Sequence, residues 1–229
     1  EIDKYVDIVL VGDSLGSVLY NYSTTRKVTL TEMINHSKSV KLGIKKSLMV
    51  VDMPYKTYNT KKLALKNARK VIRETKCDAV KLEGGKKVID QIKVLIKNKI
   101  PVMGHIGLLP QTVKGKFKSK GKTSKEINQL MNDALLLQKN GVFAIVLECV
   151  KTPIAKQITK KLKIPTIGIG SSVYCDGQVL VTDDLLGLNS SNIKFVKKFI
   201  NLKKHINLGL KKFASEVRSK KYPTKKHSY

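Results

Sequence analysis

Five ionisable residues each stand at the end of a short apolar run in this 229-residue sequence. They are Asp13, Asp52, Glu83, His105 and Glu148. Because the carboxyl ends of parallel strands meet at one edge of a sheet, we expect these side chains to form one site. Carboxylates and an imidazole can together bind a cation, hold a substrate and transfer protons.

Three of these residues are carboxylates that follow three successive apolar runs. Asp13, Asp52 and Glu83 offer oxygen ligands, which Mg²⁺ prefers in proteins. Each also has a structural alternative: Asp13 could cap a helix, Asp52 could start a turn, and Glu83 could pair with Lys81. Their equivalent positions along the chain favour a metal site over three separate structural roles.

Three further side chains are candidates for substrate binding and proton transfer. Lys81 lies two residues before Glu83, so both point to one face of a strand, where a lysine can bind an anionic substrate group. A simple Lys–Glu ion pair is the alternative. His105 stands at a strand end, where it can contact substrate. Glu148 ends a strongly apolar run and is the candidate general base, with an ion pair to a lysine as the alternative.

The segment Gly12-Asp13-Ser14-Leu15 also spells the signature of the GDSL esterases, in which the serine is a nucleophile. That chemistry needs a late histidine preceded by an aspartate three residues earlier, and neither His205 nor His227 has one. The sequence therefore disfavours a serine esterase. We interpret Ser14 instead as a hydrogen-bond donor to a ligand beside Asp13.

Strand-like and helix-like segments alternate along the chain, which predicts βα units and a parallel sheet. Functional groups at five strand ends favour a (β/α)8 TIM barrel, because an open doubly wound sheet would gather them at one switch point. Seven of the eight strands are visible. The segments expected to form strands are 6–11, 47–51, 78–83, 100–103, 142–147, 164–170 and 178–181.

Helix boundaries are signalled by capping residues and glycines. The pairs 29/32 and 123/126 have threonine and glutamate at capping-box spacing. Gly43 and Gly141 stand where helices are expected to end. Apolar stripes predict that two helices close the chain, beginning at about residue 192.

Composition limits the class of protein. The length suits a single barrel domain over 1–229. No apolar run approaches the ~20 residues of a membrane span, so no membrane partner is expected. The three cysteines form no CxxC pair, which fits a reducing, cytoplasmic compartment. The chain begins at Glu1 rather than methionine, so a preceding targeting segment is left open.

The net charge of +28 raises nucleic-acid binding as an alternative function. Arginine occurs only at positions 26, 69, 73 and 218, however, and aromatic residues make up only 6%. Proteins that bind nucleic acids use arginine to contact base edges and aromatic rings to stack on bases. We therefore expect solvated lysines and no nucleic-acid partner. The basic segments 114–125 and 211–226 are where an anion-binding patch would lie.

Taken together, the motifs resemble the ketopantoate hydroxymethyltransferase (3-methyl-2-oxobutanoate hydroxymethyltransferase) family. They keep the family's order and cover nearly the whole chain. The matching segments are VLVGDSLG (9–16), VVDMPY (50–55), AVKLEGG (79–85), PVMGHIGLLPQ (101–111), VLECV (146–150), IPTIGIGS (164–171), DGQVLV (176–181) and YPTKKHSY (222–229).

This resemblance implies a (β/α)8 barrel that transfers a hydroxymethyl group from methylenetetrahydrofolate to α-ketoisovalerate, giving ketopantoate. That reaction is the committed step of pantothenate biosynthesis. The resemblance also implies a homo-oligomer, often a decamer. The site residues it implies are Asp13, Asp52 and Glu83 for Mg²⁺, Asp13, Ser14, Asp52 and Lys81 for α-ketoisovalerate, and Glu148 as the proton acceptor.

The chain departs from the family pattern in three places. We expect the family's first βα unit, before VLVGDSLG, to be missing from this chain. The loops at 114–122 and 170–173 also differ, which concerns folate binding and turnover more than the metal site. Two alternatives stay open: an inactive fragment, and a Mg²⁺-dependent barrel lyase or mutase of the phosphoenolpyruvate mutase/isocitrate lyase type. The latter enzymes also handle enolates of α-keto acids.

Overall fold

The computed structural model describes residues 1–113, 118–189 and 193–229. Part of the basic loop, 114–117, and the predicted start of the closing helices at about 192 lie outside the described residues. The chain divides into two compact units, Glu1–Val179 and Leu180–Tyr229. The first unit contains the whole sheet and every candidate site residue.

The first unit is built on a sheet of seven parallel strands whose spatial order is their chain order. This confirms an α/β fold of successive βα units. Within the described residues the first and last strands do not pair, so closure into an eight-stranded barrel stays a prediction. The strands are β1 Ile8–Val11, β2 Leu48–Asp52, β3 Ala79–Glu83, β4 Val102–Gly107, β5 Ala144–Glu148, β6 Thr166–Ile169 and β7 Gly177–Gln178.

Four of the five ionisable residues lie within the strands themselves. Asp52, Glu83 and Glu148 are the last residues of β2, β3 and β5. His105 lies inside β4, which extends beyond the predicted segment because it pairs along its length with β3 and β5. Only Asp13 follows its strand, two residues after β1 ends.

Helices follow most of the strands, and the first capping box forms as predicted. The Thr29 hydroxyl accepts from the Glu32 backbone N–H at 3.2 Å, and the Glu32 carboxylate accepts from the Thr29 N–H at 2.7 Å. The helices are α1 Leu15–Val18, α2 Leu30–Gly43, α3 Lys61–Thr75, α4 Ile89–Lys97, α5 Ser124–Lys139, α6 Thr152–Lys161, α7 Thr182–Leu185 and α8 Leu202–Arg218.

The second predicted capping box forms only by half. The Thr123 hydroxyl caps α5 by accepting from the Glu126 N–H at 3.2 Å. The Glu126 carboxylate does not return the bond to Thr123, because it accepts from the backbone N–H groups of Gly121 and Lys122 at 3.1 and 2.8 Å. The glutamate therefore fixes the loop before the helix as well as the helix itself.

α2 ends at Gly43 as predicted, although Gly43 has no left-handed φ; Gly141, which follows α5, has a φ of +85°. Two other expectations were wrong. Of the predicted strand over 178–181, only Gln178 lies in β7. No helix forms over the described residues 193–200, since the Phe199 N–H donates to the Leu185 carbonyl at 2.9 Å instead of to its own turn.

The alternation of side chains along each strand separates two apolar layers. One set packs outward against the helices and forms the larger core cluster, which is typical of a parallel sheet covered by crossover helices. The other set points to the opposite face, where it forms a smaller apolar layer next to the ionisable residues. That layer consists of Val50, Ala79, Met103, Ala144 and Val146.

A glycine allows β4 and β5 to approach closely at the site. Gly107 has φ +102°, and a Cβ there would lie 2.2 Å from the Glu148 carbonyl oxygen. The same oxygen accepts the Leu108 N–H at 2.8 Å. Any side chain at position 107 would therefore push apart the strand ends that carry His105 and Glu148.

We expect Gly107→Ala to lower the free energy of unfolding by about 2–4 kcal/mol, because it combines backbone strain with a backbone clash. Gly43→Ala is the matched control, since no atom lies within 4 Å of its Cβ position. The control should cause no loss. Urea unfolding followed by circular dichroism measures both variants. Equal stability of Gly107→Ala and wild type would contradict this account of the strand ends.

Candidate active site

Strand register brings four of the predicted residues onto one face of the sheet. Asp52 lies opposite Lys81 between β2 and β3, and Glu83 lies opposite His105 between β3 and β4. Lys81 and Glu83 are two residues apart, so they share a face as predicted. All four are buried, each with 2–4% of its surface exposed. Such burial of charge requires partners.

The partners form a row across four neighbouring strands. Lys81 Nζ lies 3.1 Å from Asp52 Oδ1 and 3.2 Å from His105 Nδ1. On its other side, His105 Nε2 lies 3.2 Å from Glu148 Oε2, a contact without regular hydrogen-bond geometry. The row therefore runs Asp52–Lys81–His105–Glu148. It ends at a glutamate that is partly exposed and thus accessible to a ligand.

The lysine determines which nitrogen of His105 carries the proton. Burial alone would lower the pKa of Lys81, but the charges of Asp52, Glu83 and Asp13 outweigh burial and raise that pKa above its ordinary value. Lys81 is therefore an ammonium that can only donate, so His105 Nδ1 accepts. In neutral His105 the proton then lies on Nε2, facing Glu148.

Asp13 joins the row from the end of β1. Its backbone N–H donates to Asp52 Oδ2 at 3.1 Å, which holds the two residues together. Burial, followed by the charge of Asp52, raises the pKa of Asp13 to about 8. Burial also raises the pKa of Glu83. The carboxylates are thus crowded in a poorly solvated site where Lys81 supplies the nearest positive charge.

This donor chemistry fits a hard divalent cation. Within the described parts of the chain, no three His, Cys, Asp or Glu side chains converge as a ligand set. Mg²⁺, however, commonly takes one or two protein carboxylates and completes its shell with water and substrate. Asp52 Oδ1 is buried and contacts the Lys81 ammonium at 3.1 Å without a regular hydrogen bond, and burial, followed by the charge of Asp52, raises the pKa of Asp13. A cation beside these oxygens would lower the cost of burying their charge.

Two buried residues of the site were missed from the sequence. The Gln111 backbone N–H donates to Glu83 Oε2 at 3.0 Å, and its side-chain Nε2 donates to Asp13 Oδ2 at 2.8 Å. The Tyr58 hydroxyl donates to Gln111 Oε1. Burial, then the charge of Glu83, raises the pKa of Tyr58, which keeps this hydroxyl protonated. Both residues lie in loops, where no periodic pattern signals burial; the motif PVMGHIGLLPQ was the only signal for Gln111.

Ser14 and Cys149 flank the carboxylates in sequence. Ser14 directly follows Asp13 and starts α1, and its side chain makes no capping hydrogen bond. Cys149 has a left-handed φ of +52°, and burial, followed by the charge of Glu148, raises its pKa to about 11. The thiol is therefore protonated and a poor nucleophile. The catalytic and binding roles assigned from the sequence stay predictions.

Acidic and basic side chains gathered at the carboxyl ends of parallel strands define a TIM-barrel-like α/β enzyme. A solved structure of 2,3-dimethylmalate lyase, from the phosphoenolpyruvate mutase/isocitrate lyase superfamily, has a similar fold, with a TM-score of 0.57 at 10% identity. The similarity covers 98% of this chain and 77% of that one. At this identity it shows the fold alone.

The chain belongs to the ketopantoate hydroxymethyltransferase family, whose model matches residues 2–225. It is 63% identical to the 3-methyl-2-oxobutanoate hydroxymethyltransferase of Pelagibacter ubique, over 100% of this chain and 88% of that protein. It is 46% identical to the Rhizobium etli protein of the same name, over 100% of this chain and 85% of that protein. The resemblance is therefore confirmed over the lyase alternative. None of the described helices is long and apolar enough to span a membrane.

The raised pKa of Asp13 predicts a pH-dependent stability. The folded protein holds a proton on Asp13 up to about pH 8, whereas the unfolded chain loses it near the ordinary value of 3.8. Between these values the folded state binds more protons, so the free energy of unfolding falls as pH rises, by at most about 1.4 kcal/mol per unit. We expect this slope for the metal-free protein between pH 5 and 8.

Asp13→Asn should reduce that slope, because the amide does not titrate. Urea unfolding in EDTA at pH 5, 6, 7 and 8 measures both proteins. Removing the exposed carboxylate in Glu1→Gln serves as the control and should leave the wild-type profile unchanged. Parallel profiles for wild type and Asp13→Asn would show that Asp13 is not the group that titrates.

Proposed function

We propose that this chain transfers a hydroxymethyl group from methylenetetrahydrofolate to α-ketoisovalerate, giving ketopantoate and tetrahydrofolate. Family membership and the names of its relatives support this reaction. The row Asp52–Lys81–His105–Glu148 is the observation on this chain that carries it. The reaction would be the first committed step of pantothenate biosynthesis, the route to vitamin B5 and coenzyme A.

The reaction requires a base, a cationic environment and two substrates held together. A base removes the proton from C3 of α-ketoisovalerate, and the resulting enolate forms a C–C bond to the one-carbon unit of the folate. Water supplies the hydroxyl group, and both bonds from the one-carbon unit to the two folate nitrogens break. Those nitrogens take up the proton removed from C3 and one proton of the water, and tetrahydrofolate leaves. Electrostatic stabilisation of the enolate is the step where a buried charged site contributes most.

The exposure of Glu148 supports its assignment as the base. Its side chain is 15% exposed, whereas the rest of the row is almost fully buried, so it is the member most accessible to a substrate. His105 contacts Glu148, Lys81 contacts His105, and both supply N–H groups on the same face of the sheet. We assign Glu148 to remove the C3 proton and Lys81 and His105 to stabilise the negative charge that develops.

We propose that Mg²⁺ is held by Asp13, Asp52 and Glu83. When bound, it would supply a Lewis acid that polarises the keto group and acidifies C3–H. Asp13, Ser14 and Asp52, with Lys81 and His105, would contact α-ketoisovalerate. Lys81 offsets part of the carboxylate charge, so that an anionic substrate can approach a site built largely from acids.

The resemblance also supports proposals about partners and location. We propose a homo-oligomer, as is usual in the family, that acts in the cytoplasm on small molecules without a nucleic-acid or membrane partner. We further propose that 1–229 forms part of a single (β/α)8-barrel domain.

We expect Glu148→Gln to lower kcat by about 10²- to 10⁴-fold, because glutamine keeps the size of the side chain but cannot accept the proton. KM for α-ketoisovalerate should change little. Ketopantoate formation is measured with purified protein, Mg²⁺ and methylenetetrahydrofolate. Glu74→Gln, in an exposed ion pair with Lys38, is the matched control. An unchanged kcat in Glu148→Gln would show that Glu148 is not the base. Turnover of α-keto acids without folate would favour a lyase or mutase.

A further inference from the structure

A buried glutamine joins two of the site's carboxylates. Gln111 lies shortly after β4 and is 1% exposed. Its backbone N–H donates to Glu83 Oε2 at 3.0 Å, and its side-chain amide donates to Asp13 Oδ2 at 2.8 Å. One residue therefore connects the end of β3 with the segment after β1, across the carboxylate cluster.

The orientation of this amide is fixed by its surroundings. Nε2 donates both to Asp13 and to the Met53 carbonyl oxygen, the latter at 3.0 Å. Oε1 accepts from the Tyr58 hydroxyl. A flipped amide would place its oxygen against the Met53 carbonyl, which only accepts, and would lose that hydrogen bond. The three hydrogen bonds therefore define one orientation, and Tyr58 helps to hold it.

A glutamine also suits this position electrostatically. It satisfies one oxygen of Asp13 and one of Glu83 with neutral N–H groups, and it adds no positive charge to the site. A lysine or arginine could donate the same hydrogen bonds but would neutralise charge that a cation needs. The second oxygens, Asp13 Oδ1 and Glu83 Oε1, receive no bond from Gln111.

We propose that Gln111 is a positioning residue that, together with Tyr58, orients Asp13 and Glu83 for binding of the divalent cation. This inference rests on the proposed function, which assigns the cation to these carboxylates. Residues that orient metal ligands typically contribute about 10- to 100-fold to metal affinity. Gln111 does so through both its backbone and its side chain, so a substitution removes only the Asp13 part.

The test is Mn²⁺ binding by the full chain without substrates, measured from the electron paramagnetic resonance signal of free Mn²⁺. Gln111→Met keeps the length of the side chain and removes both donors. It should raise the Kd for Mn²⁺ by about 10- to 100-fold. Tyr58→Phe removes only the hydroxyl that orients the amide, and should raise Kd by about 2- to 10-fold, as expected for one hydrogen bond.

Gln138→Met is the matched control, because that amide accepts a backbone N–H from Lys163 outside the site. It should bind Mn²⁺ like wild type. Thermal unfolding of each metal-free variant separates positioning from folding. A lower Tm with an unchanged Kd in Gln111→Met would show a structural role only and overturn the inference. If Gln111→Met does not fold, an unchanged Kd in Tyr58→Phe overturns it.

Failure of the metal site itself is distinguishable. Asp13→Asn should abolish or severely weaken Mn²⁺ binding. If wild type does not bind Mn²⁺, or if Asp13→Asn binds it equally well, the proposed metal site fails and this inference fails with it. If wild type binds, Asp13→Asn does not, and Gln111→Met binds like wild type, only the role of Gln111 is contradicted.

Discussion

Carboxylates with little access to water are the constraint around which this site is arranged. Asp13, Asp52 and Glu83 gather at the ends of β1, β2 and β3, where the cost of burying charge raises the pKa of Asp13 and of Glu83. Each is held by donors that offset part of that cost: the Asp13 N–H on Asp52, the Lys81 ammonium on Asp52, and Gln111 on Asp13 and Glu83. The remaining negative charge suits a cation, which links the electrostatics of the fold to the proposed chemistry.

Parallel register brings ionisable side chains of neighbouring strands into contact on one face of the sheet. Neighbouring strands align Asp52 with Lys81 and Glu83 with His105, and Lys81 and Glu83 share that face of β3. Gly107 lets β4 reach the Glu148 carbonyl, so His105 and Glu148 come within 3.2 Å. The apolar layer around Met103 and Val146 lies on the same face of the sheet and limits contact between the row and water. Interactions between charges are stronger in such surroundings than in water.

Much of this arrangement could be predicted from the sequence, because its signals are local. Seven apolar runs predicted the seven parallel strands, and five of these runs end in an acid or histidine and predicted the positions of Asp13, Asp52, Glu83, His105 and Glu148. Pairing between strands could not be predicted, since register is set by tertiary contacts; the predicted alternative paired Lys81 with Glu83, whereas its close contacts are Asp52 and His105. Burial of the loop residues Gln111 and Tyr58 had no periodic signal. The helix expected over 196–200 failed because tertiary hydrogen bonds replace its own turn.

Enolisation of α-ketoisovalerate is the proposed step that depends on both the cation site and Glu148, and it can be measured without the folate. Proton exchange at C3 in D₂O, followed by NMR with and without Mg²⁺, reports directly on the cation site and on Glu148. The account predicts exchange that requires Mg²⁺ and disappears in Glu148→Gln. Absence of exchange with folded wild-type protein, or equal exchange in Glu148→Gln, would contradict it.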